Sequence, residues 1–160
     1  MGCVDTSLIR PELAFVDVVA DDACELFALL EKTYLEQGLV RESWLDAICA
    51  REEAYPTGLA FESVAVAIPH VEPEHIAAPY ISVIRPRDSV RFGGMGGAPD
   101  VAAQLIVNIG LVAHEDDQLA VVQALIGVFM NKTAASDILA QQTPAALAVA
   151  LSHWCQECSA

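Results

Sequence analysis

The feature that most constrains the fold of this chain is an apolar run at residues 104–112, which reads QLIVNIGLV. A strand with one face in water alternates apolar and polar residues, whereas a strand covered on both faces is apolar almost throughout. The run therefore predicts a strand that is buried on both faces of a sheet.

Strand and helix patterns alternate on either side of this run. Further short apolar strands are predicted at residues 13–19, 64–68 and 80–84. Helices are predicted from a cap at Asp21 or Asp22 to about Gly38, and at residues 42–53, 115–130, 134–141 and 144–154. The helix at 115–130 is expected to bury its apolar side chains, which are Leu119, Val122, Leu125, Ile126 and Phe129.

The order of these elements predicts the fold class. Because the strands at 64–68 and 80–84 are joined by a loop alone, the sheet is expected to be mixed rather than purely parallel. The expected fold is α/β, a layered sandwich in which helices flank a central mixed β-sheet. The chain has 160 residues, which predicts a single domain, 1–160, with a core at about 8–152.

Charge and hydropathy exclude several classes of function. Eight Lys and Arg residues stand against 22 Asp and Glu residues, for a net charge of -14, which argues against nucleic-acid binding. An acidic surface instead favours encounter with a basic protein partner. No apolar stretch reaches the ~18 residues of a membrane span, and the N-terminus lacks a secretion signal pattern, so a cytoplasmic protein is expected.

The five cysteines do not form a recognisable metal or disulfide framework. Cys24 and Cys49 lie in helical patterns and are expected to be buried, inert thiols. Cys155 and Cys158 form one Cys-x-x-Cys pair near the C-terminus, without the second pair that a zinc site requires. No metal is expected, and the role of this pair stays open.

Among the four histidines, His70 has the most informative surroundings. It follows Pro69, which ends the predicted strand because proline lacks an N–H and has a restricted φ. A histidine held rigidly at a sheet edge suits a nucleophile that must meet a large partner. The structural alternative is a histidine that caps or packs against the edge of the core. His75 is expected to be a solvated loop residue, and His114 is a candidate to line a pocket.

No nucleotide-binding motif accompanies these residues. The glycine-rich stretch at 93–97 is not followed by Gly-Lys-Ser/Thr, and it does not have the Gly-x-Gly-x-x-Gly form that follows a strand in dinucleotide-binding folds. No cofactor is expected.

Two segments carry a resemblance to a known family. Residues 51–59 read REEAYPTGL and residues 66–70 read VAIPH. Together they resemble the IIA component of the bacterial sugar phosphotransferase system, of the fructose/mannitol class, and look most similar to its galactitol-type members. The likeness continues through residues 90–95 and 118–125, and extends from about 8 to 151.

The resemblance implies roles for particular residues. The histidine of the Pro-His motif is the phosphorylated residue, which here is His70. The arginine before the Thr-Gly turn is an active-site cation in mannitol-type relatives, and here it is Arg51, with a solvated arginine at a helix end as the alternative. Those relatives carry a second active-site histidine at the position that matches Gln118 in this chain. Whether Gln118 or His114 replaces that histidine stays open.

The expected chemistry is phosphoryl transfer between proteins. A neutral imidazole of His70 would take the phosphoryl group from the general carrier HPr, with Arg51 and backbone amides near Thr57 and Gly58 as stabilising donors. The group would pass to a cysteine of a IIB protein, and so indirectly serve the membrane component IIC. Two alternatives stay open: a regulatory module of the same fold, and a binding protein in which His70 is structural. The sugar and the phosphorylated ring nitrogen are not determined by the sequence.

Overall fold

The computed structural model describes residues 4–112 and 115–159, except for the side chains of residues 115, 116, 158 and 159. The strands are β1 (Ile9–Val18), β2 (Gly58–Ala60), β3 (Ala65–Ala67), β4 (Tyr80–Pro86), β5 (Val90–Phe92), β6 (Val101–Ala103) and β7 (Leu105–Gly110). The helices are α1 (Ala23–Glu36), α2 (Trp44–Ala54), α3 (Glu115–Met130), α4 (Lys132–Leu139) and α5 (Pro144–Ser159).

Five strands form a central sheet in the order β1-β4-β7-β3-β2. The β1–β4 and β3–β7 pairs are parallel, whereas the β4–β7 and β2–β3 pairs are antiparallel. The predicted mixed sheet is confirmed, and the apolar run at 104–112 supplies its middle strand. Strands β5 and β6 form a separate two-stranded sheet.

Helices cover both faces of the central sheet, as the apolar run requires. Buried residues of α3, α4 and α5 pack with Val66, Leu105 and Val107 in one core cluster. Buried residues of α1, α2 and the two-stranded sheet pack with Ala67 and Ile106 in a second cluster. Neighbouring residues of β3 and of β7 thus point to opposite layers, and the expected layered sandwich is confirmed.

Helix ends follow the capping chemistry of the sequence. Asp22, one of the two predicted caps, accepts a hydrogen bond of 3.0 Å from the Glu25 N–H at the start of α1. At the start of α5, the hydroxyl of Thr143 accepts 3.1 Å from the Ala146 N–H, and Pro144 takes the first helical position.

Three short strands were missed, and the expected burial of Leu119, Cys24 and Cys49 was wrong. The short strands β2, β5 and β6 were not predicted, because three residues are too few to show a period of two. Leu119 is 57% exposed rather than buried. Cys24 is exposed on the first turn of α1, and Cys49 is half-buried, so neither is a core thiol.

Helix length and hydropathy limit which of the described segments could cross a bilayer. Within them, no single helix is long and apolar enough to cross a bilayer. Only the consecutive segments Asp117–Met130 and Lys132–Leu139 reach that length and composition together, with a bend of 91° between them.

Two glycines give a matched test of the packing. Gly110, at the end of β7, lies against the fully buried ring of Tyr80, so that a Cβ there would overlap the ring. We expect Gly110→Ala to lower the free energy of unfolding by about 1–3 kcal/mol through overpacking. Gly127 lies at an exposed position of α3 with open space around it, and Gly127→Ala should raise that free energy by about 0.5–1 kcal/mol. Urea denaturation of both variants checks the pair, and equal effects would contradict this packing.

Candidate functional site

The site lies where β3 ends and the chain continues as Ile68-Pro69-His70 beside β7. The Pro69 carbonyl accepts 2.9 Å from the side-chain amide of Asn108 and 3.3 Å from the Ile109 N–H. The Tyr80 hydroxyl in turn donates 2.7 Å to the Oδ1 of Asn108. Asn108, Tyr80 and Ile109 are all fully buried, so the backbone that carries His70 is anchored to the core.

The His70 ring is half-buried and has a defined tautomer. Its Nδ1 lies 2.9 Å from the carbonyl oxygen of Ile68. A carbonyl can only accept, so Nδ1 carries the proton and the neutral ring keeps a lone pair on Nε2. Burial lowers the pKa of His70 below its usual value, and this outweighs the raising effect of the Ile68 hydrogen bond; the Arg51 charge lowers it further. The ring is therefore neutral at physiological pH.

His70 faces an open groove of about 510 Å³. The polar lining is His70, Arg51, Glu72, Gln118 and Gln123, and the apolar lining is Met95, Leu119, Val122 and Ile126. A second, smaller groove of about 320 Å³ shares Arg51 and His70 and reaches the turn before β2. The histidine thus stands between two openings, with an apolar rim on α3.

The last turn of α2 brings Arg51 to this groove. Its Nη1 donates 2.7 Å to the Oε1 of Glu72, and the two side chains are 29% and 37% exposed. The guanidinium also lies 5.6 Å from the centroid of the Tyr55 ring. Arg51 and His70 line the same groove, as the resemblance implies, while Arg51 is held by a carboxylate that the sequence did not single out.

The Thr57-Gly58 turn has a different role from the expected one. The Thr57 N–H donates 2.7 Å to the Oε2 of Glu52, and the Thr57 hydroxyl donates 2.9 Å to its Oε1. The Gly58 N–H donates 2.9 Å to the Gly93 carbonyl. Both amides are therefore occupied and do not offer free donors to a phosphoryl group in this structure. Thr57 still lines the smaller groove, and its bonds position the turn.

Glu52 is a buried acid directly beside this turn. Burial raises its pKa to about 7, although the two bonds from Thr57 and the charge of Arg51 oppose the shift. A carboxyl group with a pKa near neutrality therefore lies one residue from Arg51, which lines both grooves at His70.

Gln118 and His114 are the two candidates to replace the second active-site histidine. Gln118 is buried on α3, and its Nε2 donates 2.9 Å to the carbonyl of Val71, the residue after His70. It lines the large groove and also holds the backbone there. His114 lies outside the described residues. Of the Cys-x-x-Cys pair near the C-terminus, Cys155 is buried in α5, and the side chain of Cys158 lies outside the described residues.

Three residues of the site were missed from the sequence. Asn108 gave a signal, because it is the one polar residue within the apolar strand β7. Glu52 and Glu72 gave none, since acidic residues are common in this chain and both act through partners that the fold supplies.

Glu52 gives a stability test with a defined sign. Its folded pKa of about 7 lies above the usual 4.5, so its stabilising contribution is present at low pH and is lost as the pH rises through 7. The free energy of unfolding of the wild type minus that of Glu52→Gln should therefore fall by on the order of 2 kcal/mol from pH 5 to pH 8. The exposed neighbour Glu53→Gln is the control. A difference independent of pH, measured by urea denaturation, would refute the shift.

Known proteins share both the sequence and the fold of this chain. The family model for the phosphoenolpyruvate-dependent sugar phosphotransferase system, EIIA 2, matches residues 7–154. The galactitol-specific EIIA component of the phosphotransferase system of Escherichia coli K12 is 32% identical over 119 residues, which are 74% of this chain and 75% of that protein.

Two solved structures are similar in fold. The nitrogen regulatory protein IIA-Ntr of Neisseria meningitidis has a TM-score of 0.72 at 21% identity, over 91% of this chain and 97% of that chain. The Escherichia coli complex of enzyme IIA-Mtl with phosphorylated enzyme IIB-Mtl gives a TM-score of 0.68 at 20% identity, over 91% of this chain and 95% of that chain. The chain belongs to the EIIA 2 family of the phosphoenolpyruvate-dependent sugar phosphotransferase system, and is a phosphotransferase component that relays phosphoryl groups to a IIB protein for sugar uptake.

Proposed function

We propose that His70 is the residue that carries the phosphoryl group, taking it from HPr and giving it to a IIB protein in the cytoplasm. The observation that carries this proposal is the His70 ring itself. It lies at a groove beside Arg51, and its Nδ1 proton is held by the Ile68 carbonyl, which leaves Nε2 as the nucleophile. A rigid base and an open approach are what transfer between two proteins requires.

The transfer needs few groups from this chain. The Nε2 lone pair attacks the phosphorus in line, while the bond from phosphorus to the donor histidine breaks and its electron pair returns to that donor. The Nδ1 proton stays on Nδ1 and keeps its bond to the Ile68 carbonyl. Arg51 offers charge-assisted hydrogen bonds that stabilise the negative charge of the phosphoryl oxygens in the transition state. In the onward step a cysteine thiolate of the IIB protein attacks the same phosphorus, the Nε2–P bond breaks, and its electron pair returns to Nε2 of His70.

The proposal also covers the surface that contacts the partner proteins and the class of sugar that is taken up. The apolar rim residues Leu119, Val122 and Ile126 offer a contact surface beside His70, and the net charge of -14 favours a basic partner face. The relative at 32% identity is galactitol-specific, which supports a galactitol-like substrate for the pathway, taken up through a IIC component.

A regulatory module is the second candidate from the sequence. The likeness to IIA-Ntr concerns the fold alone at 21% identity, so it does not favour regulation over transport. The sequence relative favours transport.

The site of phosphorylation can be tested directly. Incubation with phosphoenolpyruvate, enzyme I and HPr should give one acid-labile phosphate per chain, and NMR of the ring should place it on Nε2 of His70. His70→Gln should abolish the label. His75→Gln is the control, because the Nδ1 of His75 is paired with the Ser43 hydroxyl at 2.8 Å. A wild type that takes no label, or a label retained in His70→Gln, would overturn the proposal.

Arg51 has its own kinetic test. Arg51→Gln should slow phosphorylation of His70 by HPr about 100-fold, because one aligned cationic donor is lost from the transition state. The rate for Arg51→Lys should lie between those of the wild type and Arg51→Gln, since lysine keeps the charge and loses the forked geometry. Arg41→Gln, at an exposed position, controls for charge alone. Single-turnover rates check the series, and equal rates for Arg51→Gln and Arg41→Gln would argue against a role in transfer.

A further inference from the structure

We propose that Glu72 competes with a phosphoryl group on His70 for Arg51. Glu72 holds the arginine in the unphosphorylated protein, and the phosphoryl group displaces Glu72 when it arrives. The inference rests on the proposed role of His70. It assigns Glu72 a positioning role: this carboxylate sets how stable the phosphorylated state is, and so how readily the group moves on.

The geometry places the two anions at one cation. Glu72 lies two residues after His70, and its Oε1 accepts 2.7 Å from the Nη1 of Arg51. Both side chains line the large groove together with His70. Among the described residues that line either groove at His70, Arg51 is the only Lys or Arg. A phosphoryl group on Nε2 would therefore share its groove with the same guanidinium that Glu72 binds.

Glu72 is ionised when the competition takes place. Burial raises its pKa, but hydrogen bonds and the charge of Arg51 outweigh that effect and hold the pKa below its usual value. The carboxylate and the phosphoryl dianion would thus both be charged at neutral pH. If Arg51 contacted both at once, the two anions would stand side by side and repel each other.

The change of partner by Arg51 does not alter which covalent bonds form and break in the transfer. The Nε2–P bond forms, the donor N–P bond breaks, and Arg51 moves its hydrogen bond from the Glu72 carboxylate to a phosphoryl oxygen. No proton changes place, because Nδ1 keeps its proton toward Ile68. The lost ion pair raises the free energy of the phosphorylated state, which favours the onward transfer to the acceptor.

The equilibrium constant for phosphoryl exchange with HPr is the decisive measurement. It compares only the free energies of the two carriers, so a change in docking rate does not affect it. Glu72→Gln keeps the shape and removes the charge. We expect it to shift the equilibrium about three- to fivefold toward the phosphorylated IIA, the scale of a partly exposed ion pair.

A matched control and a second readout separate this role from a structural one. Glu74→Gln removes an exposed charge from the same turn, Pro73–His75, and should leave the equilibrium constant unchanged. In the unphosphorylated protein, Glu72→Gln should lower the pKa of His70 further, because Glu72 raises it; NMR titration of the ring measures this. Glu72→Asp should restore part of the effect on the equilibrium.

The outcomes distinguish the two proposals. A wild type that is never phosphorylated defeats the proposed role of His70. If the wild type and Glu72→Gln are both phosphorylated with the same equilibrium constant, the role of His70 stands and competition by Glu72 is refuted. Equal shifts in Glu72→Gln and Glu74→Gln would also refute it, because they would reflect net charge alone.

Discussion

The hydrogen bond from the Asn108 amide to the Pro69 carbonyl is the interaction on which the site depends. A buried amide that lacks partners is costly, so Asn108 is tolerated in an apolar strand only because both of its ends are satisfied. Its oxygen accepts from Tyr80 and its nitrogen reaches the residue before His70. The sheet core therefore specifies where the imidazole emerges, and the ring inherits the rigidity of the core.

Two acids give this small site its electrostatic character. Glu52 is buried behind the Thr57 turn and has a raised pKa, whereas Glu72 is half-exposed and has a lowered one. Their pKa values shift in opposite directions, because desolvation prevails at Glu52, whereas at Glu72 a backbone hydrogen bond and the contacts with Arg51 and His75 together outweigh desolvation. Arg51 is adjacent to Glu52 in the sequence and bonded to Glu72, so that its charge lowers the pKa of both. Such a site holds a neutral imidazole within a field that depends on how Arg51 is partnered.

Much of the fold was predictable from local pattern. The apolar run at 104–112 predicted the central strand, and caps such as Asp22 placed helix ends. The short strands β2 and β6 were not predictable, because their pairing comes from the partners they meet in the fold. Cys24 and Leu119 were misassigned since helical spacing does not say which side of a helix faces the sheet.

The site was predictable in part, and for a different reason. Two short motifs led to His70 and Arg51 through a family resemblance, while the sequence alone left the histidine's role open. The bond between Arg51 and Glu72 spans 21 residues, and the bond between Asn108 and Pro69 spans 39. No periodicity in the sequence reports such pairs. The occupied amides of Thr57 and Gly58 likewise became visible only with the turn in three dimensions.

The bond from Gln118 to the Val71 carbonyl has a mechanical consequence. Its neighbour Leu119 is 57% exposed and lines the groove at His70. Helix α3 therefore borders the groove and is also bonded, through Gln118, to the backbone of the residue that follows His70. A shift of α3 would displace that backbone as well unless the bond from Gln118 were broken.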